Sequence, residues 1–128
     1  MSFKSKLKVS GHEFNILNVN YGLIQETDAT GRPSSIARGG KIEVSVESTG
    51  ETTLFELMTN NFERQDGSIV YTKRDSDATL KELLFEEAYV VKYKENFDAT
   101  GENPFIETIV LSAKKITMGT GEHVNEWV

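Results

Sequence analysis

"LKELLFEEAYVVKYKE", residues 80–95, is the stretch on which the fold turns. It contains no glycine or proline, and its apolar residues fall into two sets. Leu83, Phe85, Tyr89, Val91 and Tyr93 occupy alternate positions, the period of one face of an extended strand. Leu84, Ala88 and Val90 fall on the other face, among charged residues. A strand apolar on both faces must be covered on both, so this segment belongs to a packed sheet and needs a second cover.

Working outward, the same period recurs. In Lys41–Thr49, Ile42, Val44 and Val46 alternate with Lys41, Glu43, Ser45 and Glu47. Phe3, Leu7 and Val9 share one side of a first strand, and Lys4, Lys6 and Lys8 form a basic stripe on the other, the pattern of a solvated edge. Ser10-Gly11 offers a hairpin turn into a second strand at about 13–23, and further strands are expected at about 68–73 and 105–118. One segment changes period. In "TTLFELMTNNF" the apolar residues Leu54, Phe55, Leu57, Met58 and Phe62 lie at helical spacing, with Thr53 and Glu56 as a capping box. This predicts one helix at about 53–62, ended by an Asp66-Gly67 turn. The expected fold is mainly β: a small antiparallel barrel, or a sandwich, with one flanking helix, and residues 1–128 as a single domain.

Composition narrows the function. The 128 residues carry 20 acidic and 14 basic side chains, a formal charge of −6, which argues against a nucleic-acid binder working through a broad basic face. There is no cysteine, which removes disulfides and thiolate chemistry together. The N-terminus has charge but no apolar run, so no secretory signal is expected, and no segment is long enough to insert in a bilayer.

Catalytic motifs are equally sparse. The two histidines, His12 and His123, have no sequence-local nucleophile. "GRPSSIARGGK" (31–41) fails as a phosphate loop, because Ser35 stands where the first glycine is needed and Ile42 where a Ser or Thr should meet magnesium. Asp75, Asp77, Thr79 and Glu86 match four positions of a calcium loop, but Leu80 occupies the obligatory glycine. No catalytic residue, cofactor or metal is expected, and the chain is read as a non-enzyme.

Asp28-Ala-Thr-Gly31 reappears as Asp98-Ala-Thr-Gly101, each followed by one of the two prolines, Pro33 and Pro104. Asp bonds the backbone two residues on, Gly supplies positive φ, and Pro ends a ladder. The surrounding sequences share no register, so this is turn chemistry used twice. The first copy lies in a connection from about Gln25 to Gly40, longer and more polar than compact domains usually carry. It holds Arg32 and Arg38, which suit an acidic partner, including a second copy of this acidic chain.

Taken together, "QETDATGRPSS", "RGGKIEVSVEST", "NNFERQDGSIVYTKRDSDATLKEL", "AYVVKYKENFDATGENP" and "LSAKKITMGTGEHVNEWV" resemble the type VI secretion tube proteins of Bacteroidota, the TssD branch of the Hcp (haemolysin-coregulated protein) family. The resemblance runs over essentially the whole chain. It implies β-barrel subunits with one side helix, related to phage tail-tube proteins, that form hexameric rings stacked into a tube within a contractile sheath. It implies partners: further copies of the chain, a VgrG-like spike, sheath and baseplate proteins, and effectors held in the lumen. It also implies assembly in the cytoplasm and export by the injection machine without a signal peptide. By position, residues 25–40 match the loop that contacts the next ring, which makes Thr27, Asp28, Arg32, Pro33, Ile36 and Arg38 expected contact residues. Leu84 and Val90 are the expected contacts on the long strand, packing beneath the helix being their alternative. The other readings are the tube of a related contractile injection system or phage, and a small-ligand-binding barrel.

Overall fold

The computed structural model describes residues 3–35, 39–48, 50, 52–60, 63–73, 78–102 and 104–125. Seven strands and one helix follow in the order β1 (Phe3–Val9), β2 (His12–Tyr21), β3 (Lys41–Glu47), α1 (Thr53–Thr59), β4 (Gln65–Lys73), β5 (Thr79–Phe97), β6 (Phe105–Met118) and β7 (Gly121–Val124). All pairings are antiparallel. The sheet order is β3-β2-β1-β4-β5-β6-β7, and β3 also pairs with β6, which closes six strands into a barrel.

The free edge of β6 is divided between two strands. β3 takes residues 106–112 and β7 takes 115–118. At the handover, Asn125 Nδ2 donates to the carbonyls of Gly39 (3.1 Å) and Ala113 (2.9 Å). Gly40 must be glycine there: φ is +94°, and a Cβ would stand 2.5 Å from Asn125 Nδ2. β7 is too short for its period to show in the sequence. The seam between β1 and β2 is also short, Lys6–Val9 against His12–Asn15. Beyond it β2 turns to β3, and the Tyr21 and Tyr71 hydroxyls meet across the opening at 3.0 Å.

The interior is built by alternation. Ile42, Val44 and Val46 of β3 are fully buried, as are Leu7 of β1 and Ile69 of β4, with Phe14 and Phe85 filling the space between them. Lys4, Lys6 and Lys8 point outward as expected, but not from an edge: β1 lies between β2 and β4, so the stripe runs down the outer wall.

β5 departs from simple alternation, and the departure reassigns its faces. Glu87 has φ +50°, the β4–β5 register shifts beside it between Gln65 and Gly67, and the in–out alternation of burial lapses on both β5 and β6. Phe85 and Ala88, three apart, are both buried, and so are their partners Ile116 and Ala113. The corner is fixed from outside. Asp66 Oδ1 accepts the Glu87 amide at 2.8 Å, and the Glu87 carboxylate meets Arg64 at 2.9 Å and Lys114 at 3.8 Å. A second irregularity falls between Val90 and Lys92. Tyr89 therefore faces Arg64, whose Nε donates to its hydroxyl at 2.7 Å, Val91 is exposed, and Ala88 and Val90 join the interior side. Of the second apolar set only Leu84 faces outward, 44% exposed.

Asp66-Gly67 is not a turn but part of β4, where the backbone approaches its neighbours closely. A Cβ on Gly67 would lie 2.3 Å from the Lys8 carbonyl and 2.6 Å from Phe85 Cζ. The helix runs Thr53–Thr59, beside β5 and the β1–β2 turn, and buries Leu54 and Leu57 in the barrel's own cluster. The capping box is displaced by one residue. Thr52 is the cap, so Glu56 stands four residues on rather than three, and the Thr52 hydroxyl donates to the Glu56 carboxylate instead of accepting a backbone N–H.

Candidate assembly surface

The long connection between β2 and β3 is a small hairpin of its own. Thr27 and Pro33 form an isolated antiparallel bridge, Asp28 N–H donates to the Arg32 carbonyl at 2.9 Å, and Ser34 N–H donates to the Glu26 carbonyl at 2.7 Å. At its tip Asp28 Oδ1 accepts three bonds: the Thr30 amide (2.8 Å), the Thr30 hydroxyl (2.7 Å) and the Arg32 amide (3.1 Å). These donors, the Thr30 hydroxyl first, hold the Asp28 carboxyl below its ordinary range. Gly31 follows with φ +87°. Residues 22–34 are all exposed, so the hairpin stands off the wall with Leu23 and Ile24 bare at its base. It brings Thr27, Asp28, Arg32 and Pro33 onto one turn, while Ile36 and Arg38 lie outside the described residues.

The second copy of the phrase makes almost the same bonds. Asp98 Oδ1 accepts the Thr100 amide (3.0 Å) and hydroxyl (2.7 Å), Asp98 N–H reaches the Pro104 carbonyl at 2.7 Å, and the carboxyl is again lowered, chiefly by the Thr100 hydroxyl. Its glycine differs: Gly101 is not in the left-handed region that Gly31 occupies. This turn joins β5 to β6 and is flanked by Phe97 and Phe105, 58% and 44% exposed, with ring centroids 4.6 Å apart. Sequence reading missed this pair. Both are aromatic residues beside a turn, but their exposure depends on how far the hairpin outruns the barrel.

The two expected contacts on β5 are separated by its corner. Leu84 lies on the outer wall between Ser68 and Thr117, whereas Val90 pairs with Leu111 and packs against the interior cluster. Among the described residues buried polar chemistry is confined to a few groups. Tyr93 donates to Glu107 Oε2 at 3.1 Å, and Glu107 is 1% exposed with no partner on its other oxygen. Burial first, and Glu107 second, push the Tyr93 hydroxyl above its ordinary range, so it remains a donor. His123 is buried in β7 and bonds Asn125 Oδ1 at 3.2 Å, whereas His12 opens β2 beside the β1–β2 turn. Among the described residues no cluster of His, Asp or Glu is placed to hold a metal, and no helix is long and apolar enough to cross a membrane. Asp75 and Asp77 lie outside those residues.

What the arrangement offers is surface for contact: a filled barrel, apolar side chains bare on its wall and ends, and a projecting hairpin. Comparison with known proteins agrees. The family described as hemolysin coregulated protein Hcp (TssD) matches residues 1–128. Among solved structures, Hcp1 from Flavobacterium johnsoniae is 62% identical with a TM-score of 0.92, over 95% of this chain and 99% of that one. Hcp1 from Salmonella typhimurium is 16% identical with a TM-score of 0.76, over 96% and 92%. The sheath–tube complex of an extracellular contractile injection system, PVC, in its extended state is 22% identical with a TM-score of 0.58, over 91% and 88%. The last two show the fold alone. No curated protein matches.

Proposed function

Because the chain belongs to the hemolysin coregulated protein Hcp (TssD) family, the tube proteins of type VI secretion, we propose that six copies close into a ring and that the rings stack into the inner tube. Contraction of a surrounding sheath then drives the tube out of the cell, tipped by a VgrG-like spike and carrying effector proteins. The chain is assembled in the cytoplasm on a baseplate and exported by that stroke. It contributes shape and contact, and performs no reaction. The observation that carries this reading is the match to the family along residues 1–128.

Physical features support it. A tube wall needs subunits that do not deform, and this barrel is packed with large side chains to its centre. A ring needs lateral contacts, and Leu84 stands bare on the wall, where a neighbour's cover would remove it from water. Stacking needs a feature that leaves the ring plane, and the exposed hairpin carrying Thr27, Asp28, Arg32 and Pro33 is the segment that stands off the barrel to supply it.

The native mass of the purified protein tests the ring. Six copies of a 14.3 kDa chain give about 86 kDa, and a monomer at every concentration would overturn the proposal. Arg32→Glu reverses the charge at the hairpin tip and is expected to weaken stacking while leaving subunit and ring intact. A second reading, the tube of a related extracellular contractile injection system, draws on the shared barrel. It is separated by asking whether deleting the type VI sheath abolishes export of this protein.

A further inference from the structure

The two ends of the barrel are unlike, and they complement each other. At one end the β5–β6 hairpin outruns β4, which leaves β5 at Ala88, while the β3 side follows β6 as far as the Phe105 carbonyl, which accepts the Ser48 amide at 3.2 Å. By alternation Phe105 continues the β6 row of Glu107, Ile109 and Leu111, and Phe97 continues the row of Tyr93. Within the barrel that β6 row is buried to 1% exposure or less. Past its end the same row emerges half bare, so Phe97 and Phe105 are inward-type side chains that pack on each other and leave their outer faces to water.

The opposite end has the reverse condition. Leu83 and Met118 pair at the far end of the ladder whose near end is Phe97 and Phe105. There Leu83, Ile116 and Met118 floor an open hollow of about 430 Å³, walled by Tyr21, Leu23 and His123. The projecting hairpin starts from this rim, immediately after Tyr21. One end of the chain thus has surplus apolar side chains and the other an apolar vacancy.

Charge selects the orientation. The tip carries Glu95, Asp98 and Glu102 against one lysine, Lys94, and Asp98 stays ionised because its turn bonds lower its carboxyl. The end with the hollow carries Lys41, Lys73 and Lys81 against Glu82 and Glu122. Tip against tip would set like charges together, while tip against hollow turns the acidic tip toward the end with a basic excess.

We propose that the Phe97–Phe105 tip of one copy seats in the Leu83–Ile116–Met118 hollow of the copy stacked on it. The contact is heterologous: two different patches of one surface meet, so it repeats without closing and builds a column. It deepens the tube reading and rests on it, since it names the knob and socket between successive rings. The hairpin beside the hollow then flanks the incoming tip.

Two variants attack the contact from opposite sides. Phe97→Ser with Phe105→Ser removes the knob at exposed positions. Gly121→Leu fills the socket from β7, and its backbone tolerates a side chain, because a Cβ there meets only the Met118 carbonyl at an ordinary 3.5 Å. Sedimentation and electron microscopy at high protein concentration read rings and columns separately. Wild-type rings should stack unaided, and each variant should keep the ring's mass while the stacking constant falls at least about tenfold, a modest loss for a contact repeated at every subunit. Rings that stack equally in both variants overturn the inference, as do wild-type rings that never stack. A chain that makes knob-dependent columns without rings keeps the inference and overturns the ring instead.

Discussion

The chain spells Asp-Ala-Thr-Gly twice, and the two turns share a bonding pattern but not a setting. In each, one carboxylate oxygen holds the amide and hydroxyl of the threonine two residues on. The first rides at the tip of an exposed hairpin with no buried side chain between residues 22 and 34. The second closes the longest ladder of the barrel, with Ile109 buried beneath it. The difference teaches that turn chemistry is local and portable, while what a turn is worth depends on the strands it joins.

The largest contrast should appear below the turns. Ile109→Ala, under the second, removes a fully buried side chain and is expected to cost about 2–5 kcal/mol in urea unfolding. Ile24→Ala, at the base of the first, removes a side chain that is 67% exposed and should stay within about 0.5 kcal/mol. Equal losses would mean that the hairpin is part of the cooperative core.

A smaller effect separates the glycines. Gly31 sits at φ +87°, so Gly31→Ala should destabilise by about 1 kcal/mol. Gly101 is outside that region, and a Cβ there meets Asp98 atoms only at an ordinary 3.8 Å. Gly101→Ala should therefore be neutral, or stabilising by about 0.5 kcal/mol. Thermal melts of the pair decide it, and matching losses would make the two backbones equivalent after all.

The smallest effect is in acid. Both aspartates have lowered carboxyls, so their turn bonds contribute above the unfolded value near about 3.9 and are lost as pH falls through the lower folded value. Amide exchange at Thr30 and Thr100, read relative to intrinsic rates, should lose protection in that window. Because the second turn is also held by its ladder, Thr30 should lose more. Protection unchanged in Asp28→Asn would show that the carboxylate contributes nothing.

How much was legible follows from the same distinction between local and long-range causes. β3 could be read residue by residue, because Ile42, Val44 and Val46 keep strict step along a strand without irregularities. β5 could be recognised as a strand but not assigned its faces. The corner at Glu87 depends on Asp66 and Arg64, more than twenty positions earlier, and periodicity contains no trace of them. Gly67 was misread for a related reason: a glycine before a strand suggests a turn, and only the Phe85 ring lying against it shows otherwise. At the candidate surface, the Asp28 turn was legible because it is made by neighbours in sequence. Phe97 and Phe105 were not, since exposure is set by where β4 stops beside β5.

A tube driven lengthwise by a contracting sheath is loaded in shear, and the barrel wall is not equally zipped around its girth. β5 and β6 hold each other from Leu83 to Phe97, whereas β1 and β2 share only four residue pairs before they part. Force sharing along the strands makes that seam the yield line of the subunit. The hydroxyl bridge from Tyr21 to Tyr71 acts there as a rivet at the opening, and its removal would lower the force at which a single subunit gives way before it altered the temperature at which one melts.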